Sequence, residues 1–445
     1  MRSLLPLLLM LWSATVVATP PNIVLIVADD LGYGDLGCYG SKIHATPNID
    51  ALAASGLRFT DFHSAGPMCT PTRAAMLTGQ YQQRFGREFD SALGEAQHDM
   101  GLPHEAMTIA EVLKSAGYAT ACFGKWHLGY QPPWLPPDQG FDEFRGLASG
   151  DGDYHTHIDR SGSEDWWHGN QIEMTSGYTT ELLTRYSLDF IDKNRERPFF
   201  LYLPHLAIHF PWQGPDDPAH RQKGGHYAKD KWGIIPNPGN VSPHVTAMIA
   251  ALDESVGRII AALKERRLDR NTLVIFTSDN GGYLTYAPNF RNISSNGPLR
   301  DQKGSVYEGG HRVPMMISWP ERIQPGVTDT IMHSTDLLPT IARLTSASTN
   351  GLQLDGVDVS PLLFQRSTLP ERMLFWRLGD KRAVRSGPWK LCMIGKRTEL
   401  YQLDQDIGET HNVAAENPER VEQLRKAWNE WDADVNRSAE QFTKP

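Results

Sequence analysis

Residues 22–30 read Asn22-Ile-Val-Leu-Ile-Val-Ala-Asp-Asp30, an apolar run closed by two carboxylates. An unbroken, β-branched run without polar alternation suits a strand buried on both faces, as in a parallel sheet. Four more segments repeat the type: Ala119 to Phe123, Pro198 to Leu203, Thr272 to Ser278 and Val313 to Ser318. Helical patterns lie between them. One starts at Pro47-Asn48 and ends near Gly56, and another is capped by Thr108 and stops at Gly117. Ile249, Leu252, Val256, Ile259 and Leu263 make an apolar stripe at three- and four-residue spacing on a long helix. Alternating strands and helices predict an α/β fold, with a mostly parallel central sheet and helices on both faces.

The rhythm breaks in two long stretches. Gly150 to Gly177 is rich in Gly, His, Asp and Trp, and Gln213 to Asn240 is rich in Pro, Gly and charge. Both read as surface loops of the kind that carry function. Beyond about Leu363, the strand-like pieces Leu374–Arg377, Arg382–Arg385 and Trp389–Cys392 precede a helix from about Pro418 to Asp432. This predicts a small α+β C-terminal domain over 363–445, after an α/β catalytic domain over 19–362. At the start of the chain, Arg2 is followed by the apolar run Leu4 to Trp12 and then by small residues up to Ala18. That is the layout of a secretory signal peptide over 1–18, cleaved near Ala18. The run falls short of the roughly 20 residues a membrane span requires. The expectation is therefore a secreted or periplasmic protein with no stable membrane insertion.

Composition excludes other classes. The 445 residues are 40% hydrophobic and 21% charged, ordinary for a globular chain and unlike a disordered or fibrous one. Lys+Arg 43 against Asp+Glu 52 gives a net charge of -9, so there is no general basic face for nucleic acid. Any anion must be met by a local cluster of cations. The four cysteines, Cys38, Cys69, Cys122 and Cys392, are too widely spaced to imply a disulfide framework.

The strand ends are chemically loaded. The first strand closes on Asp29-Asp30, and the strand at 272–278 closes on Asp279-Asn280. Residues 119–123 run into Gly124-Lys125-Trp126-His127, and 198–203 run towards His205 and His209. In open α/β sheets the working crevice lies at the carboxyl ends of the strands. An Asp at one strand end is commonly a turn or a helix cap. Four loaded ends together place carboxylates, an amide, an ammonium and imidazoles along one edge. Asp29, Asp30, Asp279 and Asn280 all offer oxygen, and they would repel one another without a cation among them. An all-oxygen set selects a hard ion over zinc, Ca²⁺ first, with Mg²⁺ also possible.

Met68-Cys69-Thr70-Pro71-Thr72-Arg73 precedes a short helical stretch ended by Gly79. Cys69 thus sits at or next to a helix N-terminus, where an anion is favoured. Cys-x-Pro-x-Arg followed by Leu77-Thr78-Gly79 resembles the defining motif of the type I, formylglycine-dependent sulfatases of the alkaline phosphatase superfamily. Asn22 to Gly34, Gly124 to Gly129, Thr277 to Gly281 and Lys303-Gly304 with Glu308 to Pro314 are similar to further motifs of that family, in its order. Glu399 to Leu403, with Asp406 and Glu409, resembles its terminal domain. Thr72 stands where many members carry Ser, a small departure.

The resemblance implies a sulfuric ester hydrolase in which Cys69 is oxidised to formylglycine (3-oxoalanine) by a maturation enzyme that reads Cys69, Pro71 and Arg73. Its aldehyde hydrate would be the nucleophile and would also contact the metal held by Asp29, Asp30, Asp279 and Asn280. Asp279 would accept the nucleophile's proton, and Arg73 would orient the hydrate. Lys125 and Lys303 would neutralise the sulfuryl oxygens. In Pro204-His205-Leu-Ala-Ile-His209-Phe-Pro211 the family pattern selects His209, rather than His205, to protonate the leaving oxygen, with Lys303 assisting. His127 would take a proton from the second hydroxyl, expelling sulfate. A serine-like alkoxide, by contrast, would leave a trapped sulfate ester.

The substrate is read from the loops. Asp153 and His155, in Ser149-Gly-Asp-Gly-Asp-Tyr-His-Thr-His157, are candidate substrate contacts. The same stretch also reads as a plain loop, or as a second metal site from its His-x-His spacing. Trp134, Trp166, Trp167 and Trp212 lie in or beside the loops, where aromatic faces suit sugar rings or simply pack the loops. Trp167 is the one singled out for substrate. These features favour a sulfated saccharide over small aryl sulfates. A phosphoric or phosphonic ester hydrolase of the same superfamily is the enzymatic alternative, and its sites are richer in histidine.

Overall fold

The computed structural model describes residues 20–287 and 289–442, without the side chain of Glu95. The expected signal peptide and its cleavage near Ala18 lie outside the described residues. The main sheet contains, in chain order, β1 (Asn22–Ala28), β2 (Leu57–Phe59), β3 (Ala119–Lys125), β4 (Glu143–Leu147), β5 (Trp167–His168), β6 (Gln171–Ile172), β7 (Phe199–Pro204), β8 (Thr272–Ser278), β9 (Met315–Ser318) and β10 (Gly326–Thr328). In space the order is β10-β2-β9-β8-β1-β7-β3-β4-β5-β6. The five strands β8-β1-β7-β3-β4 are mutually parallel. On one side of them β9 runs antiparallel to both β8 and β2, and on the other the β5–β6 hairpin is antiparallel to β4. The sheet is thus mixed, with a parallel centre. The Val313–Ser318 segment, grouped with the parallel strands on composition, is the antiparallel one.

The apolar run of β1 explains the layering. Ile23, Leu25 and Val27 enter one core, while Val24, Ile26 and Ala28 enter the other, each face being covered by helices. Helix α1 (Pro47–Ala54) and the long helix α4 (Ser242–Glu265) pack on the second face. Met248, Ile249, Leu252, Val256, Ile259 and Leu263 supply the stripe of α4. The first face is covered by α2 (Cys69–Thr78), whose Ala74, Met76 and Leu77 join that core, and by α3 (Ile109–Ser115), whose Thr108 accepts from the Glu111 N–H at its N-terminus.

A separate antiparallel sheet, β11 (Met373–Leu378), β12 (Lys381–Ser386), β13 (Trp389–Ile394) and β14 (Arg397–Gln402), is covered by helix α5 (Pro418–Ala439). Buried ion pairs tie it to the main body. Arg385 holds Asp61 at 2.6 Å, and Lys390 holds Glu308 at 2.8 Å. Among the described residues no helix is long and apolar enough to cross a membrane.

Candidate functional site

The β1–β8 register pairs Ala28 with Ser278, so Asp29-Asp30 and Asp279-Asn280 leave the sheet side by side. The Asp279 N–H donates to the Ala28 carbonyl at 3.1 Å, and the Asp30 N–H approaches Asp279 Oδ1 at 3.3 Å. Asp30 holds a left-handed backbone at φ 62°, the kind of local strain that clusters at functional sites. All four side chains are buried.

Three cations converge on these carboxylates. Lys125, the last residue of β3, donates to Asp29 Oδ2 at 2.5 Å, and Lys303 donates to Asp30 Oδ1 at 2.6 Å. Arg73, one turn into α2, gives Nε and Nη2 to Asp279 Oδ2 at 3.0 and 2.8 Å, and Nη1 to the Lys125 carbonyl at 2.7 Å. Three carboxylates are therefore balanced by three cations. Burial, with the neighbouring Asp279 charge, still pushes the Asp29 carboxyl well above the ordinary range. At Asp279 burial also pushes upwards, but Arg73 outweighs it and the carboxyl is held below its usual value.

The donor set fits a hard divalent cation. Asp29 Oδ1, Asp30 Oδ2 and Asn280 Oδ1 are buried with no hydrogen-bond partner. Leaving such oxygens unsatisfied is costly unless an ion takes them. One feature departs from the all-oxygen expectation: His209 offers a nitrogen within 4.8 Å of the Asp29 and Asp30 oxygens, with Nε2 at 3.8 Å from Asp30 Oδ2. A second cluster, His63, Glu308 and His311, already holds a cationic side chain, because Lys390 Nζ sits 2.8 Å from Glu308 and 3.1 Å from His311 Nε2.

A cavity of about 220 Å³ has Cys69, His127, His209 and Lys303 in its wall, and His209 and Lys303 connect it to Asp30. Cys69 is the first residue of α2. The helix therefore directs its N-terminal dipole, and N–H groups without helical partners, towards the cavity, a setting that favours an anion. Pro71 is accommodated in the first turn, where no helical N–H is lost. The Thr72 hydroxyl donates to the Gly66 carbonyl at 2.7 Å, so this position supports the preceding loop.

The two cavity histidines have opposite tautomers. His127 Nε2 lies 2.9 Å from the Leu93 carbonyl, which can only accept, so Nε2 carries the proton and the unpartnered Nδ1 is a lone pair. His209 Nδ1 lies 2.7 Å from the Phe210 carbonyl, so its proton is on Nδ1 and its Nε2 is bare. Burial, then the Lys125 charge, holds both rings well below the ordinary imidazole range. His205 is elsewhere, buried with Nε2 at 3.3 Å from Ser255 Oγ.

Cys69, Arg73, Lys125, His127, His209, Lys303, Asp29, Asp30, Asp279 and Asn280 thus come together. Asp153, His155 and Trp167 are off the cavity wall. Asp153 spends its carboxylate on the N–H groups of His155, Thr156, His220 and Arg221 and on Gln213 Nε2, all within 3.0 Å, which ties the two long loops together. The His155 ring lies against Tyr178 at 5.3 Å, and His157 stacks on Trp166 at 4.0 Å. Trp167 stands in β5, between β4 and the edge strand β6, with its indole N–H on Asp165. The loops instead bring Asp151, Asp159, Arg160 and Lys231 to the wall, beside Tyr130, Phe210 and Tyr286.

Known sulfatases resemble this chain over most of its length. The sulfatase family model matches residues 21–347. Human arylsulfatase A is 36% identical, over 94% of this chain and 89% of its own. Dog N-acetylgalactosamine-6-sulfatase is 35% identical, over 83% of this chain and 71% of its own. The crystal structure of Ps i-CgsB in complex with k-i-k-neocarrahexaose superposes with a TM-score of 0.81 at 31% identity, covering 95% of this chain and 94% of that one.

Proposed function

The chain belongs to the sulfatase family, and on that premise we propose that it cleaves sulfate esters of a sulfated carbohydrate, using formylglycine made from Cys69 and a bound Ca²⁺. The observation that carries this reading is the position of Cys69: at a helix N-terminus, on the wall of a cavity it shares with His209 and Lys303, the two side chains that reach Asp30 in the cluster of unpartnered oxygens. Asp29, Asp30, Asp279 and Asn280 would hold the cation, Ca²⁺ before Mg²⁺, with position 69 and His209 beside it. When present, the aldehyde hydrate supplies a nucleophilic oxygen and a second hydroxyl for its own regeneration, and the cation supplies positive charge for the sulfate oxygens.

The residues of the chain account for the rest. With three cations already matched to three carboxylates, a divalent ion leaves the site with a surplus of two positive charges, suited to a sulfate group. Lys125 and Lys303 are oriented by Asp29 and Asp30 and hold the sulfate oxygens. Arg73 keeps Asp279 ionised, so that its carboxylate accepts the proton of the attacking hydroxyl. His127 Nδ1, a bare acceptor, takes the proton of the second hydroxyl. Lys303 carries its proton as it stands and serves the leaving oxygen, while His209 presents a bare Nε2 and relays a proton to that oxygen only after taking one up. Asp153, His155 and Trp167 support the loops rather than touch the sugar.

A saccharide is favoured because the named relatives include an N-acetylgalactosamine-6-sulfatase and a protein solved with a neocarrahexaose. Identity to arylsulfatase A supports small aryl sulfates as the second reading. The apolar run before Ala18 supports secretion or export to the periplasm. The test is free-sulfate release from a panel of sulfated sugars and aryl sulfates by protein co-expressed with a formylglycine-generating enzyme. The Cys69 peptide should be about 18 Da lighter than the thiol form. Cys69→Ala should be inactive, and Cys69→Ser should accumulate a stable adduct about 80 Da heavier. Turnover that survives in Cys69→Ala refutes the mechanism.

A further inference from the structure

One ammonium on the cavity wall has no carboxylate partner among the described residues. Lys231 Nζ lies 3.3 Å from the Tyr286 hydroxyl and otherwise rests over rings, 4.8 Å from the Trp232 centroid and 5.2 Å from those of Phe210 and Tyr286. The neighbouring cations are engaged: Lys303 with Asp30, and Arg160 with Asp151 at 3.0 Å. Nor is Lys231 on a free arm. Its carbonyl accepts from the buried Arg221 at 3.0 Å, and the same Nη2 holds Asp151 at 3.0 Å. The next carbonyl, that of Trp232, accepts from the Trp212 N–H at 2.9 Å. The Phe210 ring under Lys231 also carries Arg160 at 5.5 Å and lies 4.0 Å from the His209 ring, which puts both cations beside the reacting centre. Arg160, Arg221 and Lys231 against Asp151 and Asp159 leave one positive charge in excess, in a chain whose net charge is -9.

We propose that Lys231, flanked by Arg160, recognises a second anionic substituent, a sulfate or a carboxylate, on the same substrate as the ester being cleaved. This rests on the sulfatase reading and narrows it to saccharides with at least two anionic groups. The ester's own sulfate is met by Lys125, Lys303 and the cation site. A substrate with no other charge would leave Lys231 with only the Tyr286 hydroxyl and ring faces, whereas a second anion offers it a charge-assisted hydrogen bond in a partly dry, aromatic-walled setting.

The test uses matched pairs as competitors of 4-nitrophenyl sulfate turnover: N-acetylgalactosamine 6-sulfate with its 4,6-disulfate, N-acetylglucosamine 6-sulfate with glucosamine 2-N,6-O-disulfate, and 6-sulfated disaccharides with and without a uronic acid. In the wild type, at least one doubly charged member should bind about tenfold more tightly than its partner. Lys231→Met should reduce that ratio to within about twofold, and Lys231→Arg should retain most of it. A ratio near one for every wild-type pair, or a ratio unchanged in Lys231→Met, overturns the proposal. The ratio is internal to each variant, so a general loss of folded protein does not mimic the effect. Failure of the wild type to release sulfate from any of these esters, 4-nitrophenyl sulfate included, would instead refute the parent reading.

Discussion

Asp30→Asn separates the two roles of one carboxylate. Asp30 Oδ1 pairs with Lys303 at 2.6 Å and accepts from Asn280 Nδ2 at 2.7 Å, while Oδ2 has no partner. The Lys303 side chain is 2% exposed. Removing the charge therefore leaves a buried ammonium unpaired, at a cost of about 3–5 kcal/mol. Unfolding entropy of about 2.1 cal/mol/K per residue gives roughly 0.9 kcal/mol per degree for a chain of this length, so the metal-free protein should melt about 3–6 °C lower. An ion present at about a hundred times its dissociation constant stabilises the native state by about 2.7 kcal/mol, or about 3 °C here. The wild type should show that Ca²⁺-dependent rise in scanning calorimetry, and Asp30→Asn should lose it. The double variant Asp30→Asn/Lys303→Met removes both partners, so it should recover most of the metal-free melting temperature. It should still fail to respond to Ca²⁺. A full Ca²⁺ response in Asp30→Asn would refute Asp30 as a ligand, and an equal thermal deficit in the double variant would refute the ion-pair account.

Two further outcomes arise from neighbouring contacts. A Cβ on Gly150 would sit 2.6 Å from His127 Cε1, so Gly150→Ala should displace the ring and lower kcat by at least about tenfold, with a smaller change in KM, in steady-state assays of sulfate release. Burial pushes the Asp151 carboxyl upwards, but Arg221 and then Arg160 outweigh it and leave it at about 2, below its unfolded value. Its contribution, about 2–3 kcal/mol, is present above pH ~4 and lost as pH falls towards ~2, so Asp151→Asn should flatten that part of the stability profile in urea titrations.

The strand core and the carboxylate-bearing strand ends were legible because both signals are local. Apolar, β-branched runs identify buried strands wherever they sit, and a carboxylate pair directly after such a run falls at the carboxyl edge. Strand direction is not local. Nothing in Met315–Ser318 distinguishes an antiparallel strand from a parallel one, since it is the route of the chain through 308–314 that turns it. The long loops were legible as loops, but for the same reason the sequence did not tell which carboxylate of the pair, Asp151 or Asp153, faces the cavity. Asp151 and Asp153 stand two residues apart in one glycine-rich turn. Asp151 is held by Arg221 and faces the cavity, while Asp153 is drawn to Gln213 and to the N–H groups of His220 and Arg221. Those partners lie some sixty residues on, beyond the reach of any local pattern.

The division of labour between the two cavity histidines is of the same kind. The family resemblance implies that His127 takes a proton and His209 gives one, but the motifs do not say which ring nitrogen carries the proton. That comes from backbone carbonyls: that of Leu93 forces the proton of His127 onto Nε2 and bares Nδ1, and that of Phe210 forces the proton of His209 onto Nδ1 and bares Nε2. Leu93 belongs to a stretch with no catalytic signature, yet its carbonyl also accepts from the Tyr130 hydroxyl at 2.9 Å, so it is anchored from two sides. An acceptor held in this way fixes a tautomer without lending a charge, so in the proposed mechanism His127 is neutral and accepts a proton from position 69, while the cations of the site are left to the sulfate. A carboxylate in place of the Leu93 carbonyl would stabilise an imidazolium, and a ring already protonated could no longer act as the base. The uncharged carbonyl therefore has a chemical consequence that only the three-dimensional arrangement reveals.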